Sequence, residues 1–90
     1  MTTRAHAVRI TIRLDEAVND PQGSTVRDAL RALGHDGVRD VRVGKVIDLV
    51  IDAGDASEAR ARAERMCEEL LANPVIERWQ VDVMEVVGVA

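Results

Sequence analysis

The sequence predicts an α+β domain: a ferredoxin-like β-α-β-β-α-β two-layer sandwich, a four-stranded antiparallel sheet with both helices on one face. Three observations carry that expectation. Apolar and polar residues alternate near the start, in the middle and near the end of the chain. Two stretches between them place apolar residues at helical spacing instead. Gly, Pro, Asn and Asp gather at the boundaries, where the chain has to turn.

The first strand is carried by Val8, Ile10, Ile12 and Leu14, interleaved with Arg9, Thr11 and Arg13, so one face is apolar and the other polar. The turn-rich run Asn19-Asp20-Pro21-Gln22-Gly23-Ser24 follows. Pro21 cannot extend a ladder, and Asp20 or Ser24 can cap a helix by accepting from its free N–H groups. Val26, Ala29, Leu30 and Leu33 then sit on one helical stripe, with Arg27, Asp28 and Arg31 outside, and Gly34 stands at the C′ position.

Two strands are expected within VRDVRVGKVIDLVID, the first around Val41 and Val43, the second through Ile47, Leu49 and Ile51. Gly44-Lys45 between them suits a tight hairpin or a bulge, because glycine tolerates positive φ. The second helix opens on Asp55 with Glu58 three residues on, the pattern of a capping box. Its apolar stripe is Ala59, Ala63, Met66, Cys67 and Leu70, and Glu58–Arg62, Arg60–Glu64 and Arg65–Glu69 are spaced to pair on the wet side. Asn73-Pro74 stops it. The last strand runs from about Arg78 to Val86 with Trp79, Val81 and Val83 on one face, and residues 87–90 are expected to fray. Residues 1–90 thus form one domain, with its core at about 6–86.

Composition bounds what such a domain can do. At 90 residues, folding buries only about 60% of the unfolded chain's surface, so domains of this size often gain stability by association. With one Trp and no Phe or Tyr, the core is built from Val, Ile, Leu and Ala, and apolar sheet surface is expected to remain for a partner chain. A net charge of −4 without blocks of like charge argues against general nucleic-acid binding, which needs clustered Lys and Arg. The base-stacking platform by which such sheets hold RNA is missing as well. The lone Cys67 cannot close an internal disulfide, which fits a reducing compartment. The start reads as strand rather than signal peptide, and no apolar run approaches the roughly 18 residues of a membrane span. A cytoplasmic location is expected.

No set of residues in the sequence stands out as catalytic machinery. Cys67 falls on an apolar stripe with no evident base beside it, as a buried, inert thiol would. His6 and His35 lie at no metal-ligand spacing with Cys or Asp. Glu68-Glu69 diverge on a helix and read as a solvated face, and Asp15-Glu16 reads equally as plain loop. Gly44-Lys45 lacks the glycine-rich lead of a phosphate loop. No metal site and no catalytic residue is expected.

Three segments do more than fit a generic sandwich: DPQGSTVRDALRALG, VRDVRVGKVIDLVID and MCEELLANPVIERWQVDV. The D-P-Q-G turn, the V-R-x-G-K run and the C-x-x-L-L-x-N-P-V-I-E run are modest singly and specific together. In this order and spacing the chain, from Val8 to about Val86, resembles the PurS family, the small subunit of phosphoribosylformylglycinamidine synthase. Trp79 stands where that family often has Tyr, and the tail beyond Glu85 is extra.

The resemblance implies a non-catalytic subunit of a purine-biosynthetic complex, inactive alone. That complex converts formylglycinamide ribonucleotide, glutamine, ATP and water to formylglycinamidine ribonucleotide, glutamate, ADP and phosphate. A glutaminase subunit releases ammonia; a large synthetase subunit binds ATP and Mg and performs the amidation. The small subunit, a homodimer or tetramer, bridges the two and assists ammonia transfer. No cofactor is implied for this chain itself, and neither nucleic acid nor membrane. The exposed signature residues Asp20, Gln22, Arg42, Lys45 and Asn73 are candidates for contacts with the larger subunits. Asp20, Gly23 and Asn73 serve equally well as turn formers. Arg42 and Lys45 are the stronger interface candidates, since a strand-borne cation facing solvent does little for the fold. A reading from another class is a small-molecule-sensing regulatory module of the same fold; a stand-alone enzyme lacks a nucleophile–base pair.

Overall fold

The computed structural model describes residues 3–89. Strand β1 (Arg4–Leu14) is central and pairs antiparallel with β2 (Lys45–Ala53) on one side and β3 (Glu77–Val89) on the other, giving the order β2-β1-β3. Helix α1 (Pro21–Ala32) joins β1 to β2, and helix α2 (Ala56–Met66) joins β2 to β3. The class is α+β and ferredoxin-like, with an antiparallel sheet and two helices.

The alternation in β1 sorts its side chains as expected. Val8, Ile10 and Ile12 are fully buried, and His6 continues the same face inward. Opposite them in register stand Leu49 and Ile47 of β2 and Val83 and Val81 of β3. Burying a Val or Ile side chain in this way stabilises by about 1.5–3 kcal/mol each. Register shifts between Ala5 and His6 and between Ala7 and Val8 leave Val87 and Met84 without partners on β1. The other sheet face is open. It carries Val46 and Val50, both well exposed, and the Arg9–Asp48 ion pair at 2.8 Å.

Helix α2 forms the second layer and packs on all three strands. Ala59, Ala63 and Cys67 are fully buried beneath it, and their small side chains let the helix approach closely. Both halves of the expected cap are present. Asp55 accepts from the Glu58 N–H at 2.7 Å, while Glu58 reaches back to the Gly54 N–H at 2.8 Å. Glu58–Arg62 and Arg65–Glu69 pair as expected. Arg60 and Glu64 do not: Arg60 donates to the Val81 carbonyl at 2.6 Å and Glu64 accepts from the Trp79 indole at 2.8 Å. Both are drawn to β3, whose polar backbone and indole need partners beneath the helix.

The helix ends in a π turn, Cys67–Leu71, closed by Ala72 N–H donating to the Cys67 carbonyl at 3.1 Å. The wider turn rotates the stripe by one position. Leu70, expected inside, is 82% exposed, and Leu71 and Ala72 turn inward instead.

Three expectations are corrected. Residues 38–44 have no regular secondary structure and pair into no strand, so among the described residues the sheet has three strands, not four. A two-residue hairpin at Gly44-Lys45 needs positive φ, and among the described residues only Gly34 has one, at 100°. The chain therefore passes from Val43 into β2 without reversing. As a consequence α1 does not lie on the sheet: its one buried residue is Gly23, and Val26 and Leu33 face solvent. The expected tail is strand as well, since Gly88 and Val89 stand in register with Ala5 and Arg4. Ala90 lies outside the described residues.

Candidate functional site

Where β1 ends and β2 and β3 begin, the sequence signatures converge on one junction. Asp20 caps α1, its carboxylate accepting from the Gly23 N–H at 2.8 Å. The second oxygen accepts from the Val43 N–H at 2.8 Å. The D-P-Q-G turn thus holds the V-R-V-G-K segment directly. Asp20 is only 5% exposed, and its carboxyl is held below the usual carboxylate range. The Gly23 hydrogen bond is the main cause, then that of Val43, with the Arg42 charge adding to both.

The same junction explains two glycines. A Cβ on Gly23 would lie 2.0 Å from the Val41 carbonyl oxygen, and one on Gly44 would lie 2.6 Å from that of Ile12. Backbone meets backbone at both points, and only glycine fits. Arg42 locks the arrangement from outside. Its Nη2 donates to the carbonyls of Asp15 and Val18, each at 2.9 Å.

Asn73 organises the neighbouring turn. Its Oδ1 accepts from the Val75 N–H at 3.0 Å, its own N–H donates to Glu77 at 2.7 Å, and its carbonyl accepts from the Glu77 N–H at 2.8 Å. Glu77 in turn lines the concavity beside Asp20, a space of about 280 Å³ that also borders Gln22, Gly44 and Lys45. The structure therefore gathers the Asp20, Gln22, Arg42 and Lys45 signatures at one end of the sheet, with the Asn73 turn adjoining. Asp20, Arg42 and Asn73 are engaged with backbone. Gln22 and Lys45 are exposed and make no side-chain hydrogen bond or ion pair among the described residues.

Asp15, a plain loop residue by sequence, turns out to knit three elements. Its N–H donates to the Ile76 carbonyl at 2.8 Å, its carbonyl takes Arg42, and its carboxylate pairs with Arg78 at 2.7 Å. No local spacing signals partners this distant in sequence.

Elsewhere the chemistry is inert. Cys67 is fully buried, and burial, reinforced by Glu64 and Glu68, pushes its thiol up, away from the nucleophilic thiolate. His6 sits at the other end of the sheet with Nδ1 2.9 Å from the Arg4 carbonyl, beside an open concavity of about 500 Å³. Among the described residues no three His, Cys, Asp or Glu side chains are grouped as a metal ion needs, and no helix is long and apolar enough to cross a membrane.

A family profile described as PurS, phosphoribosylformylglycinamidine (FGAM) synthase, matches residues 7–85. The chain belongs to the PurS family. The match takes in every residue of the junction just described. Among curated relatives, subunit PurS of phosphoribosylformylglycinamidine synthase from Bacillus subtilis is 43% identical, the alignment covering 92% of this chain and 98% of the relative. The PurS subunit of Synechocystis is 38% identical over 96% of this chain and 86% of that one. Solved PurS structures agree in shape. The crystal structure of Methanocaldococcus jannaschii PurS, a subunit of formylglycinamide ribonucleotide amidotransferase, superposes with a TM-score of 0.82 at 32% identity, covering 90% of this chain and 98% of the other. A chain of the PurLQS structure from Thermotoga maritima gives a TM-score of 0.81 at 32% identity, covering 89% and 98%. The resemblance read from the D-P-Q-G, V-R-x-G-K and N-P-V-I-E runs is thereby established as membership of the PurS family, and the first two of those runs are the two sides of the Asp20 junction.

Proposed function

We propose that this chain is the non-catalytic small subunit of a phosphoribosylformylglycinamidine synthase, acting in the cytoplasm as a homodimer or tetramer. It bridges a glutaminase and a large synthetase subunit and assists the passage of ammonia between them. ATP and Mg belong to the synthetase partner. The observation that carries this reading is the end-to-end likeness, in sequence and in shape, to a chain of the Thermotoga maritima PurLQS structure.

The physical chemistry of the chain supports it. Ammonia released at one site must reach another without escaping to water, so the two enzymes have to be held in one geometry. A scaffold for that purpose needs rigid backbone and a shaped surface, and it needs no reactive group. The Asp20 junction supplies rigid backbone at one end of the sheet, and Gln22 and Lys45 project beside it, where the larger subunits would bind. Asp20, Arg42 and Asn73 hold that surface in place.

The test is reconstitution. The chain is mixed with its glutaminase and synthetase partners, and product formation is followed with glutamine and then with ammonium as the nitrogen source. Glutamine-dependent activity should require this chain, whereas ammonium should bypass it. Glutamine-dependent turnover that is equal with and without the chain would falsify the proposal.

A further inference from the structure

His6 is a polar residue in an apolar row. It stands on the inner face of β1 in line with Val8, Ile10 and Ile12, and it is only 3% exposed. Its Nδ1 lies 2.9 Å from the Arg4 carbonyl, which can only accept, so Nδ1 carries the proton and Nε2 of the neutral ring carries the lone pair. Nε2 has no hydrogen-bond partner among the described residues. Every fully enclosed side-chain nitrogen or oxygen of those residues has one. Nε2 is therefore reached from outside, and the opening is the concavity of about 500 Å³ that His6 lines. Small-molecule sites span roughly 300–1,000 Å³, so the space is large enough to hold a ligand.

One wall of the concavity is apolar. The two register shifts of the β1–β3 ladder flank His6, and bulges bend a strand and re-aim its side chains. Val83, Met84 and Val86 line the space there, and Val86, the register partner of His6, stays 48% exposed. The other wall is polar and carries both signs. Arg4 is exposed, and its side chain makes no hydrogen bond or ion pair among the described residues. The Ala56 N–H, first of helix α2, is likewise unpartnered among them and adds the positive end of the helix dipole. Asp55 commits one carboxylate oxygen to the Glu58 N–H and keeps the other open beside the His6 lone pair. Arg4 and Asp55 border the same space, yet they form no ion pair with each other.

We propose that this concavity binds a free α-amino acid with an aliphatic side chain. The carboxylate meets Arg4 and the Ala56 N–H, and the ammonium donates to His6 Nε2 and the open oxygen of Asp55. The side chain lies on Val83, Met84 and Val86. Opposite charges held apart along one wall select a ligand that carries both. A bare anion would confront Asp55, and a bare cation would confront Arg4. The site is at the opposite end of the sheet from the Asp20 junction, so this binding goes beyond the scaffold reading and does not depend on it.

The experiment titrates the full chain, isotope-labelled in its histidine rings, with L-leucine under NMR observation. The His6 Nε2 resonance should move and saturate, while the ring nitrogens of His35 stay in place. Isocaproate is leucine without its amino group, and isoamylamine is leucine without its carboxylate. Each should bind roughly tenfold or more weakly than leucine, because each loses one charged contact. Arg4→Gln alters an exposed, unpaired side chain, so it should keep the circular dichroism of the fold and weaken leucine by a similar factor. A His6 signal that does not move up to about 10 mM leucine overturns the site. Isocaproate or isoamylamine binding as tightly as leucine overturns the two-charge reading, on the wild-type chain alone. Leucine binding unchanged in a folded Arg4→Gln chain overturns the place given to the carboxylate.

Discussion

The carboxylate of Asp20 and the backbone N–H of Val43 meet at 2.8 Å across 23 positions of sequence. With its other oxygen on the Gly23 N–H, Asp20 is both a helix cap and the clasp between the start of α1 and the segment that leads into β2. Asn at this position keeps an acceptor for Gly23 but turns a donor toward the Val43 N–H, leaving two donors face to face. Asp20→Asn is expected to lower Tm by roughly 5–10 °C at matched protein concentration. A thermal midpoint unchanged from wild type in differential scanning calorimetry would show that the clasp adds nothing to stability.

The same clasp makes stability depend on acid. Hydrogen bonds from Gly23 and then Val43 hold the Asp20 carboxyl below its ordinary range in the folded chain. The unfolded chain therefore takes up the proton first as the pH falls. The stabilisation is fully present above about pH 4, the ordinary carboxylate value, and is lost as pH falls through the lower, folded value. Asp48 is lowered in the same direction by Arg9, but that pair is solvent-exposed and screened by salt. Urea midpoints at high salt should thus fall more steeply in wild type than in Asp20→Asn below pH 4, and the two curves should converge. Parallel curves would assign the acid sensitivity elsewhere.

Much of this architecture is visible in the residues, and the misses share one cause. Period-two alternation at Val8, Ile10 and Ile12 and the Asp55–Glu58 cap are local patterns, and the fold realises both. What local patterns do not encode is which distant backbone a polar group will choose. Asp20 reads as a capping residue, but its second oxygen goes to Val43, and this commits the V-R-V-G-K run to the clasp instead of a hairpin. Arg42 reads as a free cation and is engaged by the carbonyls of Asp15 and Val18. Leu70 fits the helical stripe until the π turn rotates it outward. An α1 stripe with nothing to cover in its own chain looks the same in sequence as one with a core beneath it.

Gly23 tests the close approach directly. A methyl group there would sit 2.0 Å from the Val41 carbonyl oxygen, and neither backbone can yield without breaking the Asp20 hydrogen bonds. Gly23→Ala should destabilise by about 2–4 kcal/mol in urea titration. At Gly37, by contrast, a methyl group would meet nothing within 4 Å, and φ is not positive. Gly37→Ala should be neutral or stabilising by up to about 1 kcal/mol, through the unfolded chain. Equal effects at the two glycines would refute the backbone contact.

Cys67 offers a probe of the helix–sheet layer. Its thiol is fully buried, and burial together with Glu64 and Glu68 raises its pKa. Both access and ionisation therefore oppose reaction. At pH 8 a disulfide-exchange reagent should label it at least a hundredfold more slowly in the native protein than in denaturant, at a rate set by opening of the α2 layer. Labelling at the rate of a free thiol would mean that the layer is not closed over it.

Lys45 and Arg42 separate surface from scaffold. The Lys45 side chain is exposed and unengaged among the described residues, so Lys45→Glu should leave stability within about 0.5 kcal/mol. If the end of the sheet beside Gln22 docks onto a larger subunit, the same charge reversal places a repulsive group at the rim of that interface. It should shift the midpoint of a subunit titration, read by glutamine-dependent turnover, roughly tenfold, and the shift should shrink as salt is added. Arg42→Ala should behave differently. Removing its two hydrogen bonds loosens the loop at Asp15 and Val18, so stability and assembly should fall together. An unshifted titration for Lys45→Glu would move the docking surface away from this end of the sheet. A fully stable Arg42→Ala that assembles poorly would make Arg42 a contact residue in its own right.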